Sequence, residues 1–132
     1  MSASTAGVKV NIPEVVSEVR AAFEIYEKAL NENDVAILDE LFWNSPQVIR
    51  FGVAEQLYGY QAIRDFRAGR PAVDLRRELL KVVITTYGRD AATASCEYRR
   101  LETGRRGRQM QTWVRFPEGW RVVAAHVSLL TA

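Results

Sequence analysis

From residue 75 to residue 130 the chain reads strand, turn, strand, turn, and this run limits the fold more than any other feature. Residues 75–87 are rich in Leu, Val, Ile and Thr and end at Gly88-Arg89-Asp90. Residues 91–103 close at Gly104, residues 109–116 lead into Pro117-Glu118-Gly119, and residues 120–130 finish the run. Connections this short join antiparallel neighbours, because a parallel pair needs a crossover of a dozen or more residues. Four such segments make an antiparallel meander. The helix-like segments all precede it, so the layout is α+β and not an alternating βαβ pattern.

Asn11-Ile12-Pro13-Glu14 has the form of a helix start, with Asn11 as cap, proline in the first turn and Glu14 at the capping-box position. Ile12, Val15, Val16, Val19, Ala22, Phe23, Tyr26 and Leu30 then hold helical spacing as far as residues 31–33. Residues 1–10 are small and polar and are expected to form a loose tail, leaving 11–132 as one domain. Asn33-Asp34 opens a second, short helix carrying Val35, Leu38, Leu41 and Phe42, which ends at Trp43-Asn44-Ser45-Pro46. A strand at 48–52 and its return at 55–58 come next. A third helix follows over 60–69, stopped by Pro71. No repeat or linker divides the chain, and 132 residues can bury a core unaided.

Charge becomes informative in the segment VIRFGVAEQLYGYQAIRDFRAGR, residues 48–70. On its helix Ile63, Phe66, Arg67 and Arg70 share one face, so burying the apolar pair turns Arg67 and Arg70 inward while Arg64 points away. Arg50 alternates with Val48 on a strand whose other face is Ile49 and Phe51. Inward guanidiniums stay charged and need anionic partners. Glu55, Asp65, Glu97 and Glu102 are internal candidates, and a small carboxylated ligand is the alternative. The three arginines grouped in one segment favour an anion site. The 18 basic residues comprise 15 Arg and 3 Lys, a bias suited to bidentate carboxylate recognition. Tyr26 lies on the buried face of the first helix, so its hydroxyl needs an interior partner or a cavity.

In the last strand, alternation puts Trp120, Val122, Ala124, His126, Ser128 and Leu130 on one face and Arg121, Val123, Ala125, Val127 and Leu129 on the other. Both faces are apolar, so helices are expected over one and a second subunit over the other. His126 and Ser128 become candidate pocket residues, with an ordinary hydrogen-bonded interior histidine as the alternative. No acidic residue stands near them to complete a nucleophilic triad. Trp43 and Tyr58 are further candidate pocket residues.

Several classes fall away. The formal net charge is only +2, and the basic turn at 103–108 has no interleaved aromatics, which argues against nucleic acid. No apolar run approaches membrane-spanning length, and the N-terminus lacks a basic flank followed by an apolar stretch, so the cytoplasm is the default expectation. Cys96 stands alone in a strand-like run and reads as structural. The inward set has no His/carboxylate cluster, so no metal is expected.

Leading helices followed by a long meander resemble the nuclear transport factor 2-like (SnoaL-like) superfamily, whose cone-shaped fold encloses a pocket between three helices and a curved sheet. Within it, residues 48–70, the stretch GRRGRQMQTWVRFPEGWRVVAAHVSL and the helix AAFEIYEKALNENDVAILDELFW resemble the HpxZ/AtzH family. The resemblance implies one of two settings. One is cyanuric acid degradation, in which a decarboxylating amidohydrolase converts 1,3-dicarboxyurea to allophanate without a cofactor. The other is oxalurate catabolism, in which a non-catalytic binding or accessory role is the alternative. It further implies catalytic roles for Tyr26 in FEIYEKAL and Arg50 in VIRFG, and a homodimer formed through the outer sheet face.

Overall fold

The computed structural model describes residues 7–131, in which three helices lie against one face of a six-stranded sheet. The helices are α1 (Pro13–Glu32), α2 (Val35–Leu41) and α3 (Tyr60–Gly69). The strands are β1 (Ile49–Phe51), β2 (Gln56–Tyr58), β3 (Arg77–Tyr87), β4 (Ala91–Arg100), β5 (Arg106–Phe116) and β6 (Gly119–Leu129). The sheet order is β2-β1-β6-β5-β4-β3. The four long strands form the expected meander. β1, however, lies parallel to β6, which brings Arg50 level with Ala125 on the sheet's inner face.

α1 buries Val15, Val19, Phe23, Tyr26, Ala29 and Leu30 along one stripe. That stripe packs on Ile84, Ala94, Tyr98 and Trp113 of the sheet and on Leu38, Phe42 and Ile63. Each large apolar side chain fully buried there contributes roughly 1.5–3 kcal/mol. The start of α1 differs from expectation. Ile12 is the N-cap and makes no side-chain cap bond. Asn11 instead takes φ 61° and uses its side-chain oxygen to accept the Thr86 N–H at 2.9 Å. Val10 also bridges to Tyr87. Residues 9–11 are therefore tied to β3 and are not a loose tail, while residues 1–6 of the expected tail lie outside the described residues. Asp34 caps α2 as expected, accepting from the Ile37 N–H at 3.2 Å.

A bulge in β6 revises its faces. Thr112 pairs with Ala124 but Trp113 pairs with Val122, so Val123 is an extra residue and the alternation changes phase there. Trp120 and Val122 face the helices before the bulge. After it Ala125, Val127 and Leu129 pack against the core. His126 is exposed on the opposite, outer face with Met110, its cross-strand partner. The expected outer stripe of Val123, Ala125, Val127 and Leu129 is thus mostly an inner one, and Ser128 joins His126 outside.

Candidate functional site

Between α1 and the inner sheet face lies a small cavity of about 50 Å³. Tyr26 reaches it from α1, Arg50 from β1, Asp74 from the segment before β3, and Arg77, Tyr98 and Gln109 from the meander. β1 is held from both sides, with Arg50 paired to Leu57 of β2 and to Ala125 of β6. Alternation then aims Arg50 inward. Tyr26 is 5 % exposed. Its ring stacks with Phe23 and tilts against Phe42, and its hydroxyl has no hydrogen-bond partner among the described residues.

The arginines divide into two kinds. Arg67 donates from Nη1 to Asp39 Oδ1 at 2.8 Å and lies over the Phe42 ring. Arg77 grips Glu27 with two hydrogen bonds of 2.8 and 2.9 Å and lies over the Tyr98 ring. Burial acts to lower the Arg77 pKa, but the Glu27 hydrogen bonds and charge outweigh it and hold this guanidinium above its ordinary value. These two are structural ion pairs. Their carboxylates, Asp39 and Glu27, are not among the internal partners expected from sequence. Asp65 instead accepts from Gln61, Glu102 from the Asp74 N–H, and Glu97 sits 3.7 Å from Arg106.

Arg50 and Arg70 have no such match. Arg50 Nη1 lies 3.9 Å from Glu55, beyond hydrogen-bond reach, and is buried without a partner. Arg70 Nε and Nη2 are likewise buried and unpartnered. Both guanidiniums lie against the Phe66 ring, at 5.4 and 5.8 Å from its centroid, so one aromatic ring supports two positive charges. Burial pushes the Arg50 pKa down, countered by Tyr26 and Glu55. Burial and then the neighbouring Arg50 charge push Arg70 down. Arg50 has only the long Glu55 contact and Arg70 has no ion pair among the described residues, so a bound carboxylate would oppose both shifts.

The remaining predicted residues lie elsewhere. Tyr58 is 64 % exposed on edge strand β2 and meets Phe51 edge to face. Phe51 in turn meets His126, so these three rings form a row on the outer face. Trp43 stacks on Phe116 at 5.4 Å, beside a separate surface cleft. Tyr58, His126, Ser128 and Trp43 therefore lie outside the cavity that Tyr26 and Arg50 line. Glu27, Arg77 and Gln109 were missed. Arg77 shares its inward face with Leu79, a signal that strand alternation carries. Burial raises the Cys96 pKa, keeping it a neutral thiol on β4. Among the described residues no group of three His, Cys, Asp or Glu side chains is placed to hold a metal ion, and no helix is long and apolar enough to cross a membrane.

Comparisons with known proteins agree with this architecture. A protein of unknown function in the DUF3225 family from Pectobacterium atrosepticum is 56% identical, covering 92% of this chain and 95% of its own, with a TM-score of 0.90. A cystatin-like fold protein from Burkholderia xenovorans is 47% identical over 96% of this chain and 99% of its own, with a TM-score of 0.90. A nuclear transport factor 2-like protein from Salmonella enterica shares the fold at 23% identity, covering 90% of this chain and 93% of its own, with a TM-score of 0.74. No curated protein matches. The family model for AtzH-like proteins matches residues 8–132, and the chain belongs to that family.

Proposed function

We propose that this protein is a cofactor-independent enzyme acting on a small carboxylated urea-type acid, and that it converts 1,3-dicarboxyurea to allophanate and carbon dioxide. The observation that carries the reading is that Arg50, with a buried donor lacking a hydrogen-bond partner, lines one cavity with Tyr26, while Arg70, also with unpartnered buried donors, lies against the same Phe66 ring as Arg50. Arg50 and Arg70 hold the carboxylate that is retained, in bidentate fashion, and fix the substrate in register. The other carboxyl group leaves as carbon dioxide, and the electron pair of the broken N–C bond goes to nitrogen. Tyr26 delivers its proton to that nitrogen. The phenolate left behind lies in the field of Arg50 and Arg70 and recovers a proton from water.

The cavity has room for about one or two waters, so the acid enters by displacing the wall at Asp74–Leu75. Asp74 latches that wall. Its Oδ2 is 3.3 Å from Arg100 Nη1 and accepts from Thr103 Oγ1 at 3.1 Å, while its Oδ1 is buried without a hydrogen-bond partner. The reading also includes a homodimer through the outer sheet face, where Val83, Met110, Ile49 and Tyr58 are exposed.

Purified protein mixed with freshly generated 1,3-dicarboxyurea tests the reaction, by following allophanate and carbon dioxide against the spontaneous rate. Tyr26→Phe is expected to bind the acid and lose turnover by about 10²–10⁴-fold, the range for general-acid catalysis. Arg50→Ala is expected to lose binding and turnover together. Saturable binding of dicarboxyurea or oxalurate with no turnover by the wild-type chain would assign a carrier or accessory role instead.

A further inference from the structure

We infer that Gln109 recognises a carbonyl oxygen of the substrate, so that the site selects an acid with a carbonyl between its carboxylates over a plain dicarboxylate. This deepens the function proposed above and rests on its anion site.

Gln109 is 4 % exposed and forms part of the cavity wall on β5. Its Oε1 accepts from Arg77 Nη2 at 3.2 Å. A guanidinium can only donate, so the amide oxygen must face Arg77 and the amide NH2 must face away. Arg77 is itself fixed by its double hydrogen bond to Glu27. Glu27 and Arg77 therefore act as positioning residues, and they hold Gln109 Nε2 buried with no partner among the described residues.

Gln111, 1 % exposed, repeats the device one step along the strand. Its Oε1 accepts from the Trp113 indole at 3.1 Å, another group that only donates, and its Nε2 is also buried and unpartnered. Gln111 pairs with Ala125, and Ala125 pairs with Arg50, so only a methyl side chain separates Gln111 from Arg50 along that row. The cavity wall that Gln109 shares with Arg50 thus carries a neutral amide donor. A buried donor with no acceptor is unfavourable until a ligand supplies one. The carboxylates belong with the charged donors of Arg50 and Arg70, and the acceptor that suits a neutral donor is a carbonyl oxygen. A ligand without that oxygen leaves Gln109 unpaired, the condition under which binding sites discriminate most strongly.

The test uses two acids of the same length, glutarate and freshly dissolved 3-oxoglutarate, which differ at the central carbon and need no turnover. Titration calorimetry on the wild-type protein is expected to give at least about a tenfold preference for 3-oxoglutarate. Gln109→Met should reduce that preference to near unity while glutarate affinity is retained. Gln109→Glu keeps an acceptor for Arg77 and should do the same or reverse the preference, and thermal melts establish that each variant is folded. Equal wild-type affinity for the two acids overturns the role of Gln109 and leaves the anion site standing, as does a preference that survives Gln109→Met. Failure of the wild-type protein to bind either acid overturns the anion site itself, and this inference with it.

Discussion

Arg67 and Arg70 lie one turn apart at the end of α3, share its inward face, and differ only in what meets them. Asp39 satisfies Arg67, whose side chain is 4% exposed, whereas Arg70 keeps buried donors unpartnered next to Arg50. Removing Arg67 leaves Asp39 with only the long 3.9 Å contact to exposed Arg64 and removes a cation from the Phe42 face. Removing Arg70 relieves a like-charge contact. Arg67→Ala is accordingly expected to destabilise the protein by about 3 kcal/mol. Arg70→Ala should leave stability equal or higher while weakening carboxylate binding roughly 10- to 100-fold. Denaturant melts and calorimetry on the two variants check the split, and a destabilised Arg70→Ala with unchanged affinity would reverse the assignment. Sequence spacing found both arginines but could not separate them, because Asp39 lies 28 residues from Arg67 along the chain. The same limit hid Glu27, which lies 50 residues from Arg77.

The strands carry the next level of information. Gly107 occupies the inner face of β5 where the Tyr98 ring and the Ser128 carbonyl come so close that a Cβ would overlap both. Tyr98 lies under the Arg77 guanidinium, so the close approach of β5 supports the Arg77–Gln109 arrangement. Gly107→Ala is expected to cost about 1–3 kcal/mol by overpacking. It should also disturb the pocket, measured as a lowered melting temperature together with weaker acid binding. Strand existence was legible from β-branched content and turn residues, and so was the inward Arg50. The faces beyond a bulge were not. The extra residues Leu80 and Val123 have no special side chain, and each shifts the alternation only because the neighbouring strand keeps its own register.

Across the whole molecule, the helices cover one face of the sheet and leave the other open. Met110 is 58 % exposed at the middle of that open face, beside His126. If two copies meet there, Met110→Lys introduces charges that must be desolvated in the contact, and the protein should change from dimer to monomer in sedimentation. A wild-type monomer would remove the interface. The pocket lies on the opposite face, so binding of glutarate should survive the substitution.

The sequence alone determined the element types and their order, the α+β layout, and the presence of more inward guanidiniums than a plain core would hold. Those properties follow from periodicity and local turn chemistry, which act over a few residues. Tertiary structure decided which guanidiniums are free, that Gln109 is oriented by Arg77, and that His126, Ser128, Trp43 and Tyr58 lie away from the pocket. Each of those depends on a contact between distant segments or on strand register. A charge is neutralised by whatever lies within a few ångströms of it in space, and distance along the chain does not report that.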